Sequence, residues 1–141
     1  MLYLDTSVLV AYYCPEALSR QVQSLLREQV KPALSVLTEV EFTSAVAKKI
    51  RLNELGNADA NRILAKFTSH VEAGLYRMVP VENHHWRLAR GWIGLFTTSL
   101  RTLDALHLAI ASAEELQLIT SDKQFYQAAE MFAVDARLVA P

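Results

Sequence analysis

The chain has a single cysteine, Cys14, in 141 residues. No internal disulfide can form, so packing alone must hold the fold, and such thiol usage suits a reducing, cytoplasmic setting. Beside Pro15, Cys14 reads as a small buried hydrophobe rather than a reactive thiol. Glycine and proline are scarce, four of each, and no repeat, low-complexity tract or linker interrupts the chain. No stretch reaches the roughly 18 apolar residues of a membrane span. The opening residues lack a basic segment and carry an acid at position five, which speaks against a secretory signal. Neither sign of charge dominates: the formal net charge is −1. That balance removes any global electrostatic case for binding nucleic acid, so such a role must rest on local basic groups. Lys48, Lys49 and Arg51 are candidates, as are the dispersed Arg87, Arg90 and Arg101. As bare charges they read first as solvated helix faces.

What the chain has in quantity is apolar side chains, 52% of the total. One domain over residues 1–141 with a well-filled core is expected, or some apolar surface kept for a partner. The opening run, Met1-Leu2-Tyr3-Leu4, reads as a strand buried on both faces, and Asp5 is the first polar side chain at its exit. Val8 to Tyr13 follows as a short helical segment, then a helix from Glu16 to Val30 with Ala17, Val22, Leu25 and Leu26 on its apolar stripe. Lys31-Pro32 breaks it. A second strand, Ala33 to Val36, leads into a helix ending near Leu52, with Phe42, Ala45, Val46 and Ile50 on one face. A helix over Asn57–Gly74 precedes a third strand, Tyr76 to Val81. His84 to about Thr98 is helical, although Gly91 and Gly94 each weaken it by about 1 kcal/mol relative to Ala. Thr102–Leu116 is the most regular helix, with Leu103, Leu106, Ala109, Ile110 and Ala113 inward. A fourth strand at Leu118–Thr120, a helix from Lys123 to Phe132 and a fifth strand at Leu138–Ala140 complete the chain. Strands alternating with helices imply a three-layer α/β/α domain around a parallel sheet of four to five strands.

In such a sheet the carboxyl edge of the strands is where ligands bind. Four acids stand near it. Asp5 follows the first strand, Glu41 falls in the first turn of the helix after the second, and Asp122 follows the fourth. Asp104, in the first turn of the Thr102 helix, joins them if that helix begins at the same edge. Taken singly, each has a plain structural explanation. Asp5 and Asp122 can cap helices, Thr38 and Glu41 have capping-box spacing, and Asp104 suits a helix dipole. Together they would repel one another and raise each other's pKa unless a cation offsets the charge. An all-oxygen acidic set without His or Cys points to Mg²⁺ or Mn²⁺ rather than zinc. Such ions activate water for phosphodiester cleavage. Thr6, Ser7, Thr120 and Ser121 are hydroxyls placed to support a phosphate oxygen or a water, or simply to make local turn and cap hydrogen bonds.

Four segments carry a resemblance: Leu4-Asp5-Thr6-Ser7-Val8-Leu9, Ser35-Val36-Leu37-Thr38-Glu39-Val40-Glu41, Leu103-Asp104-Ala105-Leu106-His107-Leu108-Ala109 and Thr120-Ser121-Asp122. Each is weak alone; in this order and spacing the whole chain resembles a PIN-domain ribonuclease of the VapC toxin type. The resemblance implies Mg²⁺- or Mn²⁺-dependent endonucleolytic cleavage of RNA, with 5′-phosphate and 3′-hydroxyl products. It maps the metal-binding, catalytic acids onto Asp5, Glu41, Asp104 and Asp122. It implies a homodimer, a cognate VapB-like antitoxin covering the active site, and DNA contact only through that antitoxin complex. A further acid sometimes found beyond the fourth is replaced here by the Tyr126-Gln127 region.

His107, one turn after Asp104, invites a general-base role but reads first as a packed structural histidine. His84-His85 reads as a helix start, since spacing offers no third metal ligand. Trp86, Trp92 and Phe96 could stack on RNA bases, although aromatics spaced along one helix more often mean core or dimer interface. A haloacid-dehalogenase-like phosphotransferase would need an acid where Ser7 stands, and a receiver domain would need a phosphorylatable Asp at the third strand. A housekeeping RNA-processing nuclease and a non-catalytic, partner-binding autoregulator are the remaining alternatives. The chain has no evident helix-turn-helix for the latter.

Overall fold

The computed structural model describes residues 1–28 and 31–140. Five short parallel strands form one sheet: β1 (Leu2–Leu4), β2 (Ala33–Leu34), β3 (Arg77–Met78), β4 (Gln117–Thr120) and β5 (Ala136–Leu138), in the order β3-β2-β1-β4-β5. Register pairs Tyr3 with Ala33 on one side and with Leu118 on the other. Among the described residues seven helices connect and cover the sheet: α1 (Thr6–Tyr13), α2 (Ser19–Arg27), α3 (Val36–Arg51), α4 (Asn57–Glu72), α5 (Asn83–Ile93), α6 (Thr102–Ala113) and α7 (Lys123–Met131).

The alternation of strand side chains divides the core in two. Leu2, Leu4, Leu34 and Ile119 face one way and pack with Val8, Leu9, Val22, Phe42, Val46, Ala60 and Phe67 from α1 to α4. Tyr3, Ala33 and Leu118 face the other way, against Ala89, Leu106, Ile110, Phe125 and Ala129 from α5, α6 and α7. The expected three layers are therefore present, with β1 central and buried on both faces. A fully buried side chain such as Leu4 or Phe42 contributes about 1.5–3 kcal/mol.

Several expected boundaries move, each for a local reason. Residues 14–18 form a turn in which Ser19 Oγ accepts the Glu16 N–H at 2.9 Å and donates to the Cys14 carbonyl at 3.2 Å, so α2 begins at Ser19 rather than Glu16. Val30, its expected end, lies outside the described residues. β2 stops at Leu34 because Ser35 becomes the α3 N-cap: Ser35 and Thr38 form a reciprocal capping box. Glu41 therefore lies in the second turn of α3, not the first, and it is not the capping partner of Thr38. Pro80, which has no N–H to donate, follows β3, and that strand is correspondingly short. Gly94 terminates α5, and Phe96 beyond it takes φ 58°, so the helix stops at Ile93 rather than reaching Thr98. β5 pairs over Ala136–Leu138, earlier than expected.

α6 departs furthest from its expected single stripe. Residues 105–111 are all buried, whereas Leu103 is 41% exposed and Ala113 is exposed. The helix is enclosed on all sides at its middle, between α5 and the sheet, and emerges at both ends. A helix apolar all round is a core helix rather than an amphipathic surface one.

Candidate active site

The site is built from the strand exits. The Asp5 N–H still donates to the Ile119 carbonyl at 2.9 Å, so the chain leaves the sheet one residue past Leu4 with Asp5 locked to β4. Asp5 occupies the N-cap position of α1, yet its carboxylate makes no cap hydrogen bond. Instead Oδ2 accepts two hydroxyls, Ser7 Oγ and Thr120 Oγ1, each at 2.8 Å. Thr120 Oγ1 also accepts the Asp122 N–H at 3.0 Å, and Ser7 Oγ accepts the Ser121 N–H at 3.1 Å. These bonds tie the exits of β1 and β4 together around one carboxylate. Asp5 is only 8% exposed. Burial pushes its carboxyl above the usual range; the Ser7 and Thr120 hydroxyls and the His107 ring pull the other way without cancelling it, and Glu41 adds to the rise.

Glu41 approaches from α3. Its Oε1 accepts Thr6 Oγ1 at 3.2 Å and a hydrogen bond from His107 Nε2. Burial would raise this carboxyl, but the hydrogen bonds from His107 and Thr6 outweigh it and leave Glu41 below its ordinary value. His107 is fully buried, and its Nδ1 lies 2.6 Å from the Tyr3 hydroxyl. Tyr3 in turn lies 2.9 Å from Ser35 Oγ. Burial drives the Tyr3 phenol up to about 12, against the lowering effect of Ser35 and Thr38, so it stays a neutral hydroxyl.

Asp104, half-buried in the first turn of α6, has no side-chain hydrogen bond among the described residues. Burial raises its carboxyl, the charges of Asp5 and Glu41 raise it further, His107 opposes them and Asp122 adds to the rise. Asp122 is exposed and does cap a helix: one oxygen, Oδ1, accepts the Gln124 and Phe125 N–H groups at 2.9 and 3.2 Å at the start of α7. Asp104 and Asp122 line one groove of about 620 Å³, with Arg101, Thr97, Thr98 and Gln124 among its walls.

All four predicted acids thus meet at one edge, in a gradient from buried Asp5 through half-buried Glu41 and Asp104 to exposed Asp122. In each case the hydrogen bonds leave an oxygen without a partner among the described residues: Oδ1 of Asp5, Oε2 of Glu41, Oδ2 of Asp122 and both oxygens of Asp104. A set of hard carboxylate oxygens backed by hydroxyls fits Mg²⁺ or Mn²⁺ and does not fit a soft ion. Of the four hydroxyl residues, Thr6, Ser7 and Thr120 bond the acids through their side chains, while Ser121 contributes its backbone N–H.

The other expectations divide. Trp92 stacks on Phe132 at 4.9 Å and belongs to the core, whereas Trp86 is 46% and Phe96 is 90% exposed. Cys14 is buried, and burial raises its thiol. Lys49 is paired with Glu54 at 3.5 Å, while Arg101 stands at the groove. His84-His85 does open α5, and tertiary contact supplies what spacing could not show: ligand atoms of His84, His85 and Glu114 lie within 4.8 Å of one another. The four acids are spaced more openly than this. The His trio nevertheless fails as a metal site. His85 Nδ1 accepts the Glu82 N–H at 3.0 Å, which puts the ring proton on Nε2 and removes the lone pair a cation would need. Sequence reasoning missed Tyr3 and Ser35 as partners of the site. The one available signal was a hydroxyl-bearing aromatic in a strand otherwise made of Leu.

Among solved structures, the chain is similar to FitAcB from Neisseria gonorrhoeae, with 21% identity over 96% of each chain and a TM-score of 0.72. It is also similar to VapC20 from Mycobacterium tuberculosis, a Sarcin-Ricin loop cleaving toxin, with 15% identity over 91% of this chain and 95% of that one and a TM-score of 0.71. A third is VapBC2 from Rickettsia felis bound to a DNA fragment from its promoter, with 16% identity over 98% of each chain and a TM-score of 0.69. At these identities the likeness is one of fold. No curated protein matches in sequence. The family model described as PIN domain matches residues 2–131. With that match across nearly the whole chain, and four acids gathered at the edge of a five-stranded parallel sheet, the chain belongs to the PIN-domain family.

Proposed function

We propose that this protein is a divalent-metal-dependent endoribonuclease and the toxin of a VapBC-like toxin–antitoxin pair. The observation that carries the reading is the buried Asp5 carboxylate, held by Ser7 and Thr120 beside the charges of Glu41 and Asp104, with Asp122 acting in turn on Asp104. Such an arrangement costs stability unless a cation occupies it. Asp5, Glu41 and Asp104 would hold Mg²⁺ or Mn²⁺ through their free oxygens, with Asp122 at the rim. When bound, the ion supplies Lewis-acid activation of water and neutralises charge on the scissile phosphate.

The protein's own part is positional. The Ser7 and Thr120 hydroxyls fix Asp5 so that one oxygen is committed and the other is free. Thr6 and His107 do the same for Glu41. Asp122 spends one oxygen on the start of α7, which anchors the outer acid to a helix end. The groove lined by Arg101, Thr97, Thr98 and Gln124 offers a cation and neutral donors to an RNA strand next to the acids. RNA cleavage with 5′-phosphate products, a homodimer, a VapB-like antitoxin and DNA contact through that antitoxin all belong to this reading, as do the cytoplasmic setting and the single nuclease domain. PIN domains are generally nucleases. The solved structures similar in fold include antitoxin complexes, some bound to DNA. No helix among the described residues is long and apolar enough to cross a membrane.

The test is growth arrest on expression, relieved by co-expression of the product of a neighbouring small gene. Purified protein should cleave RNA with Mn²⁺. Cleavage without growth arrest would favour a housekeeping nuclease instead.

A further inference from the structure

The core contains a chain of polar groups that binding a cation does not by itself require. Tyr3, Ser35, Thr38 and His107 are each 0% exposed, and Tyr3 packs within the same cluster as Ala33, Leu106, Leu108 and Leu118. Buried polar groups cost free energy unless every donor and acceptor is satisfied. One arrangement uses each hydrogen once. Ser35 Oγ accepts the Thr38 N–H of the capping box and donates to the Tyr3 hydroxyl at 2.9 Å. Tyr3 donates to His107 Nδ1 at 2.6 Å. His107, with its proton on Nε2, donates to Glu41 Oε1. Reversing the Tyr3 hydroxyl would put the proton of a neutral His107 on Nδ1 and turn a bare Nε2 lone pair toward a carboxylate.

We infer that Tyr3 and His107 are positioning residues which reach through the core to hold Glu41 with Oε1 committed and Oε2 free for the cation. The inference rests on the nuclease reading proposed above. Its geometry is economical: Tyr3 lies two residues before Asp5 on β1, so one rigid strand presents the first acid directly and aims the second through His107. Thr6, one residue beyond Asp5, gives Glu41 its other donor. Thr6 and His107 bond the same Glu41 oxygen, Thr6 from the start of α1 and His107 from the buried middle of α6. Partners beyond the direct ligands commonly change metal affinity about 10–100-fold when removed.

The experiment titrates Mn²⁺ into the full-length protein, reading free Mn²⁺ by electron paramagnetic resonance, and separately measures kcat and KM for RNA cleavage. Variants are Tyr3→Phe, His107→Leu and His107→Gln. His107→Leu should weaken Mn²⁺ binding about 10–100-fold and lower kcat, with KM for RNA unchanged. Tyr3→Phe should do the same to a smaller extent. His107→Gln, which keeps an N–H able to reach Glu41, should recover part of the loss. Nitrogen-15 spectra of folded wild type should show His107 as the Nε2–H form, a readout that does not depend on any variant folding. If the variants bind Mn²⁺ and turn over like wild type and lose only thermal stability, the inference is overturned while the nuclease reading stands. A neutral Nδ1–H form of His107 overturns it as well. If wild type itself binds no Mn²⁺ and cleaves no RNA, the functional reading falls and takes this inference with it.

Discussion

Two histidine–carboxylate pairs along α6, about 10 Å apart by helical rise between His107 and Glu114, make a controlled comparison. At the middle of α6, one turn past Asp104, His107 is fully buried beside Glu41; at its end His85, equally buried, lies 3.4 Å from Glu114. Both pairs place an imidazole next to a half-buried carboxylate, and a search by residue type would favour the second, where a further histidine stands close. Hydrogen-bond accounting separates them. At the first, both ring nitrogens are engaged and the carboxylate keeps one oxygen without a hydrogen-bond partner among the described residues. At the second, Nδ1 is spent on a helix cap and Nε2 has no hydrogen-bond partner among the described residues. A functional site is distinguished here by which lone pairs remain free and not by which residue types cluster.

The largest effect should come from removing an acid of the site beside His107. Asp5→Ala or Asp104→Ala should reduce Mn²⁺-dependent RNA cleavage to background, with the fold intact by circular dichroism. Because burial and neighbouring acids raise the Asp104 carboxyl and no hydrogen bond among the described residues holds it, metal-free Asp104→Ala should melt at or above the wild-type temperature, whereas Asp5→Ala also loses the Ser7 and Thr120 bonds and should melt lower. Melting of Asp104→Ala well below it would mean that this acid serves the fold.

Thermal unfolding against pH sharpens the contrast further. Asp5 and Asp104 sit above the ordinary carboxylate range, so their contribution is fully present in the protonated form at low pH and is lost as pH rises through the raised values. Glu41, held low, contributes in the opposite sense: its share is present above the ordinary range and is lost as pH falls through its depressed value. A divalent cation relieves the cost of ionised Asp5 and Asp104 and competes with their protons. Mn²⁺ should therefore raise the melting temperature more at pH 7.5 than at pH 5. A larger shift at pH 5 would contradict the account.

Asp122→Asn should have a smaller effect. Asn keeps the cap on α7, since its carbonyl still accepts the Gln124 and Phe125 N–H groups, so stability should change by less than about 1 kcal/mol. Activity should fall partially, because a charge is lost at the rim while the inner acids remain. At the end of α6, Glu114→Ala should leave Mn²⁺ binding and cleavage unchanged. A fall in Mn²⁺ affinity with Glu114→Ala would dissolve the distinction between the two pairs.

Much of this was readable in the chain because the signals were local. A buried strand broken by Asp5 marks its own carboxyl edge, and Asp104 at the start of a long apolar helix marks that helix's N-terminus. Glu41 was found as a candidate but misplaced by a turn, because Thr38 matches Glu41 by spacing while its true capping partner, Ser35, lies just upstream. The enclosure of α6 was not visible: residues 105–111 are apolar or small except for His107, and periodicity cannot tell a stripe from a fully buried turn. The Tyr3–His107 and His85–Glu114 contacts join residues distant in sequence, and only the packing of α5 and α6 against each other and the sheet creates them.

The most direct test of the central claim, that the four acids at the carboxyl edge of the sheet form a metal-dependent nuclease centre, is an RNA cleavage assay on purified protein with Mn²⁺, run with and without a chelator and with Asp104→Ala. The account predicts cleavage by wild type that the chelator abolishes and the variant lacks. Cleavage that survives the chelator or the substitution, or no cleavage by wild type at all, would contradict it.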